Sequence, residues 1–408
     1  MLRRPFVWAL LLLSAFANQA VYAQQLVQTT RPFSQSIQAL GMGDAVAGIP
    51  STQTAFFYNP AHFAYIPPMR PILNAVGLRA TFNEQVVDQV RFYRDEMAPA
   101  IDEGLSTLRV EERAALYGAA LDMGRDRAYL NATVPGPSLM FRMFGLGVGV
   151  GAFGSSYFSY TYTDAGGGVP QFNMTALADV MVVAGAAKDL STIGIKRGTL
   201  GLTVKYIRRS VSSKNKPIDV MGSNEPYHVL SATGLSADLG LQYELGKLPF
   251  LPGRFYAAGA VYDVVTHPFS FSYDRMLAGT YNPVVADREA VLANDAYGMY
   301  MSYRAGVAYV LPSFLGIFKE SGLAIDYVGS RAPVIDQDFL ARLHIGAQVH
   351  LPFLSLRAGL NQGYPALGAG IALGFIRVDY AYFGYEEGRV PGQAPAWNHS
   401  VEVRLGLF

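Results

Sequence analysis

The sequence predicts an all-β protein, a transmembrane antiparallel β-barrel of about 14 strands. Three observations lead there. Segment after segment alternates apolar and polar residues with a period of two, the period at which a strand turns side chains to opposite faces. The chain is 51% hydrophobic and 15% charged, against roughly 25% charged in soluble domains. Beyond the N-terminal signal it nonetheless holds no run of about eighteen apolar residues that would cross a bilayer as a helix. Finally, the connections between strand candidates alternate between short and long, as the turns and loops of an outer-membrane barrel do.

At the N-terminus, Arg3 and Arg4 precede the apolar stretch Phe6–Ala17, and Val21-Tyr22-Ala23 forms a small-residue site before Gln24. This is the pattern of a secretory signal peptide over 1–23, cleaved between Ala23 and Gln24. The chain contains no cysteine, which excludes disulfides, thiolate metal sites, cysteine nucleophiles and lipid attachment at a mature N-terminal cysteine. Strand candidates lie near 72–82, 130–142, 145–163, 173–190, 198–211, 228–246, 253–265, 299–311, 321–330, 338–351, 353–361, 364–374, 375–386 and 398–408. In Leu340–Leu351, Arg342, His344, Gly346, Gln348 and His350 alternate with apolar residues, and Ile376–Tyr382 and Val401–Leu407 repeat the pattern. Phe408, the terminal aromatic, falls on the face of Glu402 and Arg404, opposite the apolar set. Either a bulge near Gly406 shifts the register, or Phe408 lies past the bilayer edge.

If both ends of the mature chain lie in the periplasm, the short connections face inward: Met143-Phe144, 191–197, 247–252, 312–320, Pro352 and Gly374-Phe375. The outward set, 83–129, 164–172, 212–227, 266–298, 331–337, 362–363 and 387–397, is longer except at Gln362-Gly363. The first outward loop, 83–129, changes period. Val86, Val90, Met97, Ile101, Leu105 and Leu108 recur mostly at three- and four-residue steps, with Pro99 as a break. A second helix is expected over Val110–Met123, with Glu111 and Glu112 in the first turn where the helix dipole favours acids. The insert reads as a lid or plug at the barrel mouth, or as a partner-binding surface. Lys214-Asn215-Lys216 reads as a solvated loop tip.

Chemistry is sparse. Lys205, Asp238, Glu244, Asp326, Arg342, Arg377, Asp379, Glu402 and Arg404 fall where the alternation points into the lumen. A cation on the lipid face at midplane costs about 2–4 kcal/mol, so this orientation is favoured. Mixed signs suggest a hydrogen-bonded, partly filled lumen. His344 and His350 stand about 20 Å apart at strand rise and cannot share a metal. Asn398-His399-Ser400 offers hydrolase residue types, but strand neighbours point to opposite faces. No enzyme activity, metal or cofactor is expected, and the net charge of +1 gives no sign of nucleic acid.

Ala39-Leu40-Gly41-Met42-Gly43-Asp44-Ala45, followed by Ala55-Phe56-Phe57-Tyr58-Asn59-Pro60-Ala61, resembles the N-terminal motif of the FadL outer-membrane transporter superfamily. That superfamily includes the PorV/PorQ proteins of type IX secretion. The pattern there is a Gly-Met-Gly-Gly-Ala-like turn, a spacer and Asn-Pro-Ala; Asp44 here replaces the second glycine of the pattern. Leu356–Tyr364 and Asp379–Gly384 resemble the late hairpins of such barrels. The resemblance implies a fourteen-stranded barrel, 72–408, with residues 24–71 folded into the lumen as a hatch. Gly41, Met42, Gly43, Asn59, Pro60 and Ala61 carry the hatch motif, and their plain reading is architectural. Phe56, Phe57, Tyr58, Phe63 and Tyr65 are the candidate contacts to a hydrophobic ligand. The implied function is passive transport of hydrophobic small molecules across the bacterial outer membrane. The alternative is a PorV/PorQ-like role in type IX secretion, handling secreted or surface proteins. Expected partners are outer-membrane lipid, the barrel-assembly machinery and either a hydrophobic small molecule or a secreted protein.

Overall fold

The computed structural model describes residues 36–124, 127–164, 169–217, 227–279, 281–313, 321–330 and 337–407. The signal segment with Ala23 and Gln24, the hatch residues before 36, and Phe408 lie outside them. Sixteen strand elements follow one another: β1 Ile72–Asn83, β2 Ala128–Val134, β3 Ser138–Met143, β4 Leu146–Asp164, β5 Pro170–Asp189, β6 Gly198–Pro217, β7 Tyr227–Gly246 and β8 Arg254–His267. Then come β9 Ser272–Ala278, β10 Ser302–Val310, β11 Gly322–Ser330, β12 Leu343–His350, β13 Leu354–Asn361, β14 Tyr364–Leu373, β15 Ile376–Glu386 and β16 Pro395–Leu407. β2 and β3 lie end to end, each paired with both β1 and β4, and β9 prolongs β8 beside β7. The sixteen elements therefore make fourteen staves, closed by pairing of β16 with β1. Every pairing is antiparallel, and the closed wall leaves no sheet edge to lipid.

The two-residue period becomes an inside and an outside. On β7, Ser236, Asp238, Gly240 and Gln242 are buried while Leu235, Leu239, Leu241 and Tyr243 are exposed. On β16, Glu402 and Arg404 turn in while Val401, Val403, Leu405 and Leu407 turn out. No helix among the described residues is long and apolar enough to cross a membrane; the barrel crosses with strands.

Several expectations need correction at their edges. The alternation predicted from Leu340 begins only at Leu343, because Leu340–Arg342 is a 3₁₀ turn with Ala341 buried and Arg342 half-buried. The inward turn after β3 is Phe144-Gly145, both at positive φ, rather than Met143-Phe144. Such a pair supplies the twist a two-residue hairpin needs. β6 runs on to Pro217, so Lys214 belongs to a strand, its ammonium 4.7 Å from the Tyr227 ring centre. β16 alternates without interruption to Leu407; the bulge lies opposite, at Ala75 of β1.

The outward loops hold more structure than the sequence pattern suggested. The loop expected over 266–298 contains β9 and the helix Pro283–Ala296, capped by Asn282 with Pro283 in its first turn. In the first loop, helix Gln85–Phe92 continues through the π turn Tyr93–Met97 into helix Ala98–Glu103. Pro99 is no break there, since it sits in the first turn of the last segment; the chain turns instead at Gly104, with φ 91°. Phe92, Met97 and Ala120 pack with Tyr162 of β4, whereas Val90, expected on the buried face, is exposed. The hairpin after β15 is organised by one buried carboxylate. Glu386 accepts hydrogen bonds from the amides of Gly388 (2.6 Å), Gly392 (2.8 Å), Gln393 (3.2 Å) and Ala394 (2.7 Å).

Leu202 of β6 points out, between the buried Gly201 and Thr203. Leu202→Arg is expected to destabilise the barrel by about 2–4 kcal/mol. Denaturant titration in lipid vesicles measures this, and an unchanged midpoint would contradict the assignment of the lipid face.

Candidate functional site

Residues 36–66 occupy the lumen, and 67–71 emerge from it toward β1. The short helix Ile37–Gly41 packs against β13, β14, β15 and β16, and the 3₁₀ helix Pro60–Tyr65 packs against β4, β5, β6 and β7. The segment thus crosses from one side of the wall to the other. It docks where the wall carries no side chain. The fully buried Phe63 fills a socket at Gly147, Gly149 and Gly185, and a Cβ at any of the three would collide with it. Met42 lies against Gly346 and Gly359 in the same way. Asn59 caps the 3₁₀ helix: its Oδ1 accepts from the Ala61 amide at 3.0 Å, and its Nδ2 donates to the carbonyls of Ala47 (3.2 Å) and Leu241 (3.3 Å). The Asn-Pro-Ala motif is therefore a brace between hatch and wall.

A buried ion cluster holds the opposite side of the hatch. Arg304 of β10 donates to Asp326 of β11 at 3.0 Å and pairs with Asp44 of the hatch at 2.5 Å. Asp326 also accepts the backbone amides of Val46 and Ala47, each at 2.9 Å. The Tyr58 hydroxyl donates to Asp44 at 2.6 Å, and the Tyr58 ring lies 5.0 Å from the Arg304 guanidinium carbon. Asp44 has φ 65°, a conformation that aspartate tolerates better than most side chains. Asp44 thus adopts a backbone conformation that favours glycine and adds a carboxylate for Arg304.

Beside the hatch the wall itself is broken. β1 pairs with β2 from Arg79 to Phe82 and with β3 from Ile72 to Asn74, leaving 75–78 without ladder partners on that side. The facing stretch is Pro135-Gly136-Pro137, and proline cannot donate to a ladder. Asn74 Nδ2 donates to Ser138 Oγ at 2.9 Å at the edge of this gap. A cavity of about 100 Å³ opens behind it, bordered by Asn74, Arg79, Thr133, Pro135 and Ser138. Its apolar side is Phe56 and Phe57 from the hatch with Ile72, Met140 and Phe153 from the wall; its polar side includes Gln53, Glu402 and Arg404. Phe57 and Phe153 meet edge to face at 4.8 Å between ring centres, as do Phe56 and Phe153 at 5.3 Å.

The TodX monoaromatic hydrocarbon channel, as its deltaS2 mutant, matches with TM-score 0.52 and 11% identity over 91% of this chain and 98% of that one. The two proteins share a fold. The Ralstonia pickettii toluene transporter TbuX (TM-score 0.49, 13% identity, 92% of this chain and 98% of that one) is also similar. So is a Pseudomonas aeruginosa FadL homologue (TM-score 0.46, 10% identity, 91% and 98%). No family model matches the sequence, and no curated protein does. The polar lumen and the apolar outer belt are those of a barrel that spans a membrane.

Of the five residues expected at a hydrophobic ligand, Phe56, Phe57 and Tyr58 border the cavity. Phe63 and Tyr65 do not: Phe63 is spent on its glycine socket, and Tyr65 is half-buried on the β4–β7 side of the hatch. Gly41, Met42, Gly43, Asn59, Pro60 and Ala61 are all buried at the hatch–wall contact, Gly43 against Leu360 and Ile345. Arg377, Asp379, Glu402, Arg404, Lys205, Asp238 and Asp326 do point inward, while Glu244 is half-buried and pairs with Arg254 at 3.0 Å. His344 donates from Nδ1 to the Gly43 carbonyl at 3.0 Å, and Asn398 and Ser400 face in while His399 lies outside against Phe82. Thr133, Met140 and Phe153 were missed. Pro135-Gly136-Pro137 inside a strand candidate was the signal that could have found them.

Removing the Asp326 carboxylate leaves Arg304 with one anionic partner and two hatch amides without acceptors. Asp326→Ala is expected to weaken hatch docking by about 3–5 kcal/mol. Hydrogen exchange should then quicken at Val46 and Ala47 while β4–β7 amides keep their protection; unchanged exchange at those two amides would refute the latch.

Proposed function

We propose that the protein is a passive channel for small hydrophobic molecules across the outer membrane, and that the cavity at the broken wall is its path between lumen and bilayer. The observation that carries this reading is the coincidence of three features at one place. The ladder between β1 and β2–β3 is interrupted, a phenylalanine-lined cavity lies behind the interruption, and Val76, Leu78, Val134 and Leu139 are exposed on its lipid side. An apolar solute leaving through that gap passes from aromatic side chains into hydrocarbon without crossing bulk water. A volume of about 100 Å³ limits the solute to at most one ring, since benzene occupies a cavity of roughly 150 Å³ and drug-sized ligands need several hundred. TodX, whose fold this chain shares, is a monoaromatic hydrocarbon channel. The PorV/PorQ-like alternative draws no comparable support from the described residues.

The test is uptake of radiolabelled toluene into vesicles holding the purified barrel. Thr133→Trp places an indole in the cavity from the stave that borders the gap. It is expected to cut uptake about tenfold or more by filling the space a ring would use. Uptake no faster than in protein-free vesicles would end the channel reading, and full uptake by a folded Thr133→Trp barrel would end the lateral path.

A further inference from the structure

The same cavity has a charged side, and that side is rich in guanidinium. Arg79 of β1 and Glu402 and Arg404 of β16 border the space directly. Behind them stand Arg357 of β13 and Arg377 and Asp379 of β15. Asp379 alone serves three guanidiniums: Arg377 at 2.6 Å, Arg357 at 2.9 Å and Arg404 at 3.8 Å. Glu402 is shared in turn by Arg404 at 2.6 Å and Arg79 at 3.8 Å. All six side chains are at most 10% exposed. Arg357 makes no well-aligned hydrogen bond among the described residues, although it is almost wholly buried.

Burying cations costs several kcal/mol each unless anions of good geometry compensate them. Two carboxylates spread over this many guanidiniums leave the field at the cavity wall positive. A neutral hydrocarbon makes no use of such a field. An anion does, and a planar carboxylate matches the guanidinium fork. Phe56, Phe57 and Phe153 line the same cavity and supply apolar surface for a ring.

We propose that this cavity binds a small aromatic carboxylate, with the ring among Phe56, Phe57 and Phe153 and the carboxylate on the Arg79–Arg404 side. The inference rests on the channel reading for its route but names the solute from the charge of the site. It also separates this chain from a barrel built only for neutral hydrocarbons.

The probe is benzoate, titrated calorimetrically into the detergent-solubilised full chain, with benzyl alcohol as the neutral analogue and acetate as the anion without a ring. Benzoate is expected to bind about tenfold or more tighter than either, the size of effect that a charge-assisted hydrogen bond supports. Arg404→Gln should weaken benzoate binding about tenfold. Glu402→Gln removes a competing carboxylate and should tighten it; a merely structural role would make both variants weaker. Folding is checked by the heat-modifiable gel shift of barrels, and should Arg404→Gln fail to fold, Glu402→Gln and the three-ligand comparison decide. Equal binding of benzoate and benzyl alcohol overturns the anion site, and equal binding of benzoate and acetate overturns its aromatic half. Toluene uptake into vesicles by a barrel without benzoate preference would remove only this inference. Benzoate binding without toluene uptake would remove the channel reading and leave the site.

Discussion

The arrangement depends on one buried guanidinium. Arg304 reaches from the wall to Asp44 in the hatch while Asp326, its neighbour on the next stave, takes both the arginine and two hatch amides. At membrane depth an irregular backbone survives only if protein satisfies its polar groups. The hatch has few regular hydrogen bonds of its own, so the wall must supply them. His344 and Gln242 continue the same service, the last donating to the Gly48 carbonyl at 2.8 Å. Several polar residues inside this barrel are thus explained by what they do for the hatch.

Close packing follows from the same constraint. A segment laid across a narrow lumen cannot also meet a wall of large side chains. The wall therefore carries glycine where the hatch touches it, at 147, 149 and 185 for Phe63 and at 346 and 359 for Met42. The outer faces of those staves remain apolar for lipid. One strand can do both because its two faces are independent at a period of two.

Away from that contact the packing is relieved. The prolines at 135 and 137 remove ladder donors between β2 and β3, and Ala75 bulges from the β1–β16 ladder close by. A cavity forms where the ladder is weakest, with aromatic rings on one side and the Arg79–Glu402–Arg404 ion pairs on the other. A site with both characters discriminates solutes by shape and charge together. The proposed path comes from a local failure of the fold's regularity rather than from a separate domain.

Much of this was legible in the sequence. The fourteen staves, their inward charges and the short inward turns follow from a period that reports a strand's two faces directly, so Asp379 or Glu402 could be placed without a structure. The Asn59-Pro60-Ala61 motif marked the hatch, and Pro135-Gly136-Pro137 marked a break whose meaning stayed hidden. Periodicity says which way a residue points, but not which residue of another segment it meets. That Phe63 is consumed by a glycine socket while Phe56 and Phe57 face a cavity, and that Asp44 completes a cluster with residues 260 and 282 positions away, are consequences of closing the sheet on itself. Closure brings β1 against β16 and the hatch against both halves of the wall, contacts of long sequence separation that no local pattern encodes. The sequence by itself determined the barrel and its two faces; only the tertiary structure decided the site.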